Sequence, residues 1–421
     1  MSDHASTLVP IESWCYLSPE LRHGGASIDI GLFAEALIYY DRVFVIPGNE
    51  VQFADFISWF VRQDKYSDLI ALLKAGIINF YYYAFISTAV KHEGVYHLMN
   101  VQDTEQAEMP VFERRFLTRE RLGQSLPHAR QREKLYQAIS GRVIEVKADE
   151  FGSGVKNAEQ DYRNPERAAL IVQAFLDEVY PILGLRQSPI VTCKVIENSG
   201  KTHLTWNVNF DQVSQALGKG LNFHPGTPLT GAVHCNRFLW SAAKMGCDLY
   251  LNSPMSTLAG DKLYECGERL TGPHKIIESL SAEVEFPNIQ QLVNSGQIGL
   301  KEVLEFRNKG ARFRKWLQDE SERDRNAIIA YHNEVARDSG WDIRNRKPLR
   351  LFGKLGAAAG GAAIGGAVAG IPGTMIGALV GEGIKYTIDV ACKLSEDWRP
   401  VVFGKWMEDK IRKTLSRPDR I

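Results

Sequence analysis

The sequence predicts an α+β protein: an N-terminal α/β layered region, then a helical stalk, then a glycine-zipper helical hairpin at the C-terminal end. Three observations carry this reading. Short apolar runs alternate with amphipathic stretches over the first 120 residues, the pattern of α/β layers. Apolar positions after Pro287 recur at helical spacing among charged residues. From Leu355 to Val380 the chain reads LGAAAGGAAIGGAVAGIPGTMIGALV, with no charged side chain and a glycine at almost every helical turn.

In the front region, Ser27 to Ile30 is a short strand candidate, Leu32 to Tyr40 a helix, and RVFVI at 42–46 a buried strand ended by Pro47 and Gly48. Val51, Phe53, Phe56, Ile57 and Phe60 share one face of a helix that closes near Arg62. A second helix, Ser67 to Lys74, takes its serine as cap and stops at Gly76. The following IINFYYYAFI reads as one strand, rich enough in aromatics for a sheet packed on both faces. A small layer domain with a parallel sheet is the expected result.

Charged residues dominate from Arg114 to Arg142, and FGSGVKN at 151–157 reads as a loop or linker. Beyond it lie an amphipathic helix from Pro165 to Leu183, two strand signals (VTCKVI and HLTWNVNF) and helical stretches at Thr230 to Met245 and Ser256 to Leu270. The expected organisation is an α/β domain at 1–150 and a second α+β unit at 151–285, which either stands alone or completes the first sheet. A helical stalk at 286–345 and the glycine-zipper segment at 346–421 follow.

A chain of 421 residues accommodates two or three domains. Its 44% hydrophobic and 24% charged content is that of a folded protein. Fifty basic residues balance fifty acidic ones, which argues against a dedicated nucleic-acid binder, so no direct nucleic-acid binding is expected. The six cysteines show no paired spacing, as in reduced cytosolic proteins. The stretch MSDHASTLVPIESW lacks the basic and apolar regions of a secretory signal. The expected location is therefore the cytoplasm, with conditional association with the inner membrane through the C-terminal end.

Each glycine inside a helix costs about 0.8 to 1 kcal/mol relative to alanine, so a helix this rich in glycine needs a compensating contact. Gly356/Gly360, Gly361/Gly365, Gly366/Gly370 and Gly373/Gly377/Gly381 all repeat at i, i+4. That spacing leaves a flat strip on which another helix backbone can pack, in a membrane or in an oligomer. As one straight helix the uncharged span is roughly 39 Å long, against a hydrocarbon core of ~30 Å. Pro372 and Gly373 interrupt it and favour a hairpin whose second arm carries Glu382, Lys385 and Asp389. Arg344, Arg346, Lys347, Arg350 and Lys354 form a basic membrane flank, each charge drawn to anionic lipid by about 1 kcal/mol. Leucine and phenylalanine are scarce, so insertion is marginal and calls for oligomerisation or a trigger.

Catalytic motifs are missing: the chain contains no GxxxxGK[ST], HExxH, GxSxG or CxxC. His224, His234, Cys235, Cys247 and Cys266 lack the close pairs of a zinc site and read as core thiols and surface imidazoles. Asp29 and Asp41, beside apolar strands, are the acids a metal-dependent nuclease would use, with turn or capping roles as the simpler reading. No metal and no cofactor is expected.

An α/β front half, a helical stalk and the tail LGAAAGGAAIGGAVAGIPGTMIGALVGEG together resemble prokaryotic self-killing effectors of antiviral systems that end in membrane-active segments. The resemblance is architectural and covers about the last 80 residues. It implies a non-enzymatic cytosolic effector that, on activation, inserts its glycine-rich hairpin into the inner membrane, self-associates and permeabilises it. Its partners would be the lipid membrane, further copies of the chain and a sensor or regulatory protein. Two other readings stay open. One is a soluble α/β enzyme of the nuclease kind whose glycine-faced helices mediate oligomerisation; the other is a membrane-tethered scaffold.

Overall fold

The computed structural model describes residues 6–11, 28–92, 95–102, 111–182, 188–198, 201–217, 226–251, 258–259, 262, 288–311, 314, 407 and 410–416. Strands and helices alternate from the start: β1 (Ser6–Pro10), α1 (Ile30–Tyr39), β2 (Arg42–Ile46), α2 (Glu50–Arg62), α3 (Tyr66–Lys74) and β3 (Ile78–Tyr83). A hairpin of β4 (Phe85–His92) and β5 (Val95–Gln102) interrupts the alternation. Then come α4 (Val111–Phe116), α5 (Arg119–Leu122), α6 (Ala129–Ile139), β6 (Val143–Val146), α7 (Gly152–Arg163) and α8 (Pro165–Ile182). A second hairpin, β7 (Cys193–Asn198) and β8 (Lys201–Trp206), precedes α9 (Phe210–Leu217), α10 (Gly226–Met245) and the short β9 (Asp248–Leu249). Two further helices follow, α11 (Ile289–Asn294) and α12 (Leu300–Lys309).

Five strands form one parallel sheet in the order β6-β3-β2-β1-β9. The expected parallel sheet is present, and β9, from the second stretch of the chain, joins it beside β1 with Thr7 opposite Asp248. All six residues of β3 are buried, which requires cover on both faces. Side chains alternate across a strand, so Phe80 and Tyr82 share one face, Tyr81 and Tyr83 the other. On the first face, Phe53 of α2 meets Phe80, Phe112 and Phe116 with ring centroids 5.2 to 5.4 Å apart. Phe33 at the start of α1 packs edge-on against Phe56 at 4.8 Å. The opposite face joins Tyr81, Tyr83, Leu8 and Ile46 to Phe151, Ala158 and Tyr162 of the α7 region, Ile171 of α8, and Ala232 and Phe238 of α10. Burying each such aromatic is worth about 1.5 to 3 kcal/mol, so both faces of the sheet contribute to stability.

Four local expectations change. Of the strand expected at 27–30, the described residues 28–30 form none: Ile28 makes a single bridge and Ile30 already begins α1. Ser67 lies inside α3, whose cap position is Lys65 and carries no side-chain cap bond. The run 77–86 divides at Ala84, whose N–H donates to Val146 O at 2.8 Å while β4 leaves to pair with β5. FGSGVKN is the start of α7 rather than a linker. Its leading Phe151 is fully buried and stacks on Phe85 at 5.8 Å, so packing outweighs the low helix propensity of Gly152 and Gly154. Gly76 does end the α3 turn as expected, at φ +69°, where a β-carbon would stand 2.8 Å from Arg142 Nη1.

Residues 1–33 and 42–268 form one compact unit, and 34–41 with 269–421 form another. In the second, Leu300, Val303 and Phe306 of α12 are buried. The Glu302 carboxylate accepts from Gly299 N at 3.0 Å at the start of this helix, and Asn288 caps α11 through Gln291 N at 2.8 Å. Glu305 of α12 pairs with Lys410 at 2.6 Å, and Met407 and Ile411 are buried.

Candidate functional site

In a parallel α/β sheet, ligands bind outside the carboxyl ends of the strands, where the strand order reverses. Here the reversal is at β1, which has β2 on one side and β9 on the other. Buried Asp29 lies at this edge, its N–H donating to Ile11 O just after β1 and its Oδ1 accepting from Leu32 N, both at 2.9 Å. It thereby caps α1. After β2, Asn49 caps α2 by accepting from Gln52 N at 3.0 Å, which places Glu50 in the first helical turn, where its charge suits the helix dipole.

Glu50 is held by Arg115 of α4, with Nε at 2.7 Å and Nη2 at 2.6 Å from the same carboxylate oxygen. Arg115 Nη1 also donates to the Tyr82 hydroxyl at 3.1 Å, near the end of β3. One strand further, Glu145 of β6 accepts from Phe112 N at 2.9 Å and so caps α4. The ends of β2, β3 and β6 are thus lined by polar groups that hold one another in place.

The opposite layer contains a more deeply buried cluster. Asp161 of α7, 2% exposed, accepts from Arg167 Nη1 of α8 at 2.9 Å and from Lys262 Nζ at 2.6 and 2.7 Å. Asn236 Nδ2 of α10 adds a bond of 2.7 Å to Oδ2. One carboxylate therefore joins three helices and the chain beyond β9. The next residue of α10, Arg237, lies over the Tyr83 ring at 4.0 Å, a cation–π contact, and the Tyr83 hydroxyl is 2.7 Å from Ser241 Oγ. Burial raises the Tyr81 hydroxyl above its ordinary range. It pushes the Cys193 thiol up to about 11 and the Cys247 thiol up to about 12, so both are held as thiols at neutral pH.

Asp29 and Asp41 do not come together as a nuclease pair would require. Asp29 caps the start of α1, while Asp41 follows the end of that helix and pairs with Arg314 at 3.1 Å. A ten-residue helix, about 15 Å long, separates them in the chain. Among the described residues no group of three His, Cys, Asp or Glu side chains is arranged to hold a metal ion. Cys235 is fully buried, as expected of a core thiol, whereas His234, expected as a surface imidazole, is half-buried and faces the Phe238 ring at 6.0 Å. The self-association strip expected at Gly356, Gly360, Gly361, Gly365, Gly366, Gly370, Gly373, Gly377 and Gly381 lies outside the described residues. So does the basic flank expected at Arg344, Arg346, Lys347, Arg350 and Lys354. No described helix is long and apolar enough to cross a membrane. No protein-family model, curated protein or solved structure matches the chain.

The Asp161 cluster and the Glu50–Arg115 pair escape sequence reasoning. Arg167 follows Asp161 by six residues across the break at Asn164 and Pro165, a spacing that marks no helical pair, and Lys262 is a hundred residues away.

Replacing Asp161 by alanine leaves the buried Arg167 and the partly buried Lys262 without their carboxylate, and about 3 kcal/mol of unfolding free energy is lost in urea titration. Removing the exposed Lys244, which pairs with Glu150, leaves the urea midpoint close to that of the unaltered chain, because solvent screens the pair. Stability also falls in alkali. Unfolded thiols ionise near 9 and tyrosine near 10, while Cys193, Cys247 and Tyr66 stay protonated in the fold up to about 11, 12 and 12. The folded state then binds more protons than the unfolded one, so unfolding free energy is complete below pH 9 and declines from there toward pH 12, as urea midpoints at stepped pH will record.

Proposed function

We propose that the chain is an effector that rests in the cytoplasm and, when activated, inserts its glycine-rich C-terminal helices into the inner membrane, where they self-associate and permeabilise it. The observation that carries this reading is the span Leu355–Val380: no charge, glycines repeated at i, i+4 from Gly356 and Gly360 through Gly366 and Gly370, and five basic residues just before it. Such a segment gains little from burial in a soluble core and much from close helix contact in lipid. The finer architecture belongs to the same proposal: 286–345 acts as the helical stalk, and Pro372–Gly373 turns the hairpin. Residues before the stalk then recognise a signal or a regulatory protein, and the carboxyl edge of the parallel sheet, with its strand-order reversal at β1, is the place suited to that contact.

Two features weigh against the nuclease alternative. Asp29 is committed to capping α1, and Asp41 to Arg314.

Bulky side chains on the glycine strip test the proposal. Expression of the chain in bacteria should collapse the inner-membrane potential, read with a potential-sensitive dye. The double variant Gly365→Leu, Gly377→Leu should restore viability at least tenfold. Growth arrest at intact membrane potential, or equal toxicity of the glycine variant, contradicts the reading.

A further inference from the structure

Helices α5 and α6 carry a positive charge on their outer side that the packing of the first compact unit does not use. From Arg119 to Arg142 six basic residues stand against two acidic ones, in a chain with fifty of each. The helices beneath do not cancel the excess: residues 50–74, which include α2 and α3 and pack against α5 and α6, hold four acidic and three basic residues. Two of the six cations are structural. Arg132 Nη1 donates to Leu126 O at 2.6 Å and to Pro127 O at 2.8 Å, fastening α6 to the turn that leaves α5, and Arg142 Nη2 donates to Lys74 O at 3.0 Å. The other four, Arg119, Arg121, Arg130 and Lys134, are exposed and, among the described residues, enter no ion pair.

Helical spacing puts Arg130, Glu133, Lys134 and Gln137 on the outer side of α6, because Leu135, Ala138 and Ile139 fill its inner side. Leu122 of α5 and Leu126 in the turn are buried as well. Tyr136, 40% exposed, is engaged by Glu113, to which its hydroxyl donates at 3.0 Å. The face therefore presents charge with no free aromatic ring to stack on a base and no bulky apolar group to insert, which suits adsorption to a charged surface. A nucleic acid holds its phosphates at fixed spacing and would bring some of them against the exposed Glu120 and Glu133. Lipids diffuse laterally, so anionic headgroups gather under the cations and leave the glutamates facing neutral ones. Acidic residues on the rest of the chain do not oppose this contact when they lie beyond a Debye length of about 8 Å.

We propose that the outer face of α5 and α6 is an electrostatic docking surface for an anionic lipid bilayer, with Arg119, Arg121, Arg130 and Lys134 as its contacts. The choice of a lipid surface rests in part on the membrane reading above; the charged face itself belongs to described residues of the first unit alone. Each cation brought close to such a bilayer strengthens binding roughly fivefold, and salt weakens it.

Co-sedimentation of the full-length chain with vesicles tests the dock. Binding to mixed phosphatidylglycerol and phosphatidylcholine vesicles should weaken at least tenfold when Arg119→Gln, Arg121→Gln, Arg130→Gln and Lys134→Gln are combined, and the difference should vanish in about 1 M salt. Neutralising four exposed cations elsewhere in the same unit, by Lys74→Gln, Lys147→Gln, Arg163→Gln and Lys194→Gln, should leave binding close to that of the unaltered chain. Both variants should keep the urea midpoint of the unaltered chain, because every replaced side chain is exposed. Unchanged binding by the first variant, or equal loss in both, overturns the dock. Binding of a duplex DNA or RNA oligonucleotide that depends on the same four residues, with no binding to vesicles, overturns the assignment to lipid. Dye release from the same vesicles separates the dock from the permeabilising function. Selective loss of binding in the first variant with no release by any form supports the dock and contradicts permeabilisation; release that persists while the first variant binds as the unaltered chain does overturns the dock and leaves permeabilisation standing.

Discussion

Everything in the first compact unit follows from β3 being buried along its whole length. INFYYY offers no polar face to water, so helices must cover both sides of the sheet, and the two aromatic sets sort by alternation. Phe80 and Tyr82 draw in α2 and α4; Tyr81 and Tyr83 draw in α7 and α10. Truncating any ring of the buried Phe53–Phe80–Phe112–Phe116 group to alanine would cost about 3 to 5 kcal/mol, because the packed rings around it are left facing a cavity. Once the layers are set, the carboxyl ends of the parallel strands face a common edge, and there Asp29, in the connection after β1, and Asn49, after β2, become helix caps.

Charge is then spent at a few buried points. Asp161 ties α7, α8 and α10 to residue 262, and Asp41 meets Arg314 with its carboxylate and Arg307 with its backbone carbonyl just after α1. Neither arrangement is the cheapest way to fill its space, since well-packed apolar side chains would avoid desolvation. Both place a single carboxylate where several elements meet, which fixes their mutual register.

Much of the first unit is legible in the chain. β2 has the bounds its apolar run suggests, and α2, α8 and α10 lie within a few residues of their periodic patterns. What escapes are elements whose cause is distant. β1 is only STLVP, with a proline at its end, and becomes a strand because β2 and β9 flank it. α7 starts on two glycines because Phe151 is anchored by Phe85 and Trp240. The break at Ala84 depends on Val146, sixty-two residues later. The polar clusters are harder still, because Asp161 and Lys262 or Arg307 and Tyr40 carry no spacing that marks them as partners. Asp29 and Asp41 stand out in the sequence as acids near strands, but only their hydrogen bonds separate capping from catalysis.

The glycine spacing proposed for self-association suits close helix packing, which lipid and a second soluble helix would satisfy in different ways. Lipid is favoured by the basic residues before it and by the absence of charge from Leu355 to Val380. Photo-crosslinking from the acyl chains of vesicles matched to inner-membrane composition separates the two. After irradiation of vesicle-bound chain, the account predicts lipid adducts concentrated in peptides covering residues 355–380. Adducts confined to other segments, with 355–380 unlabelled, would contradict it.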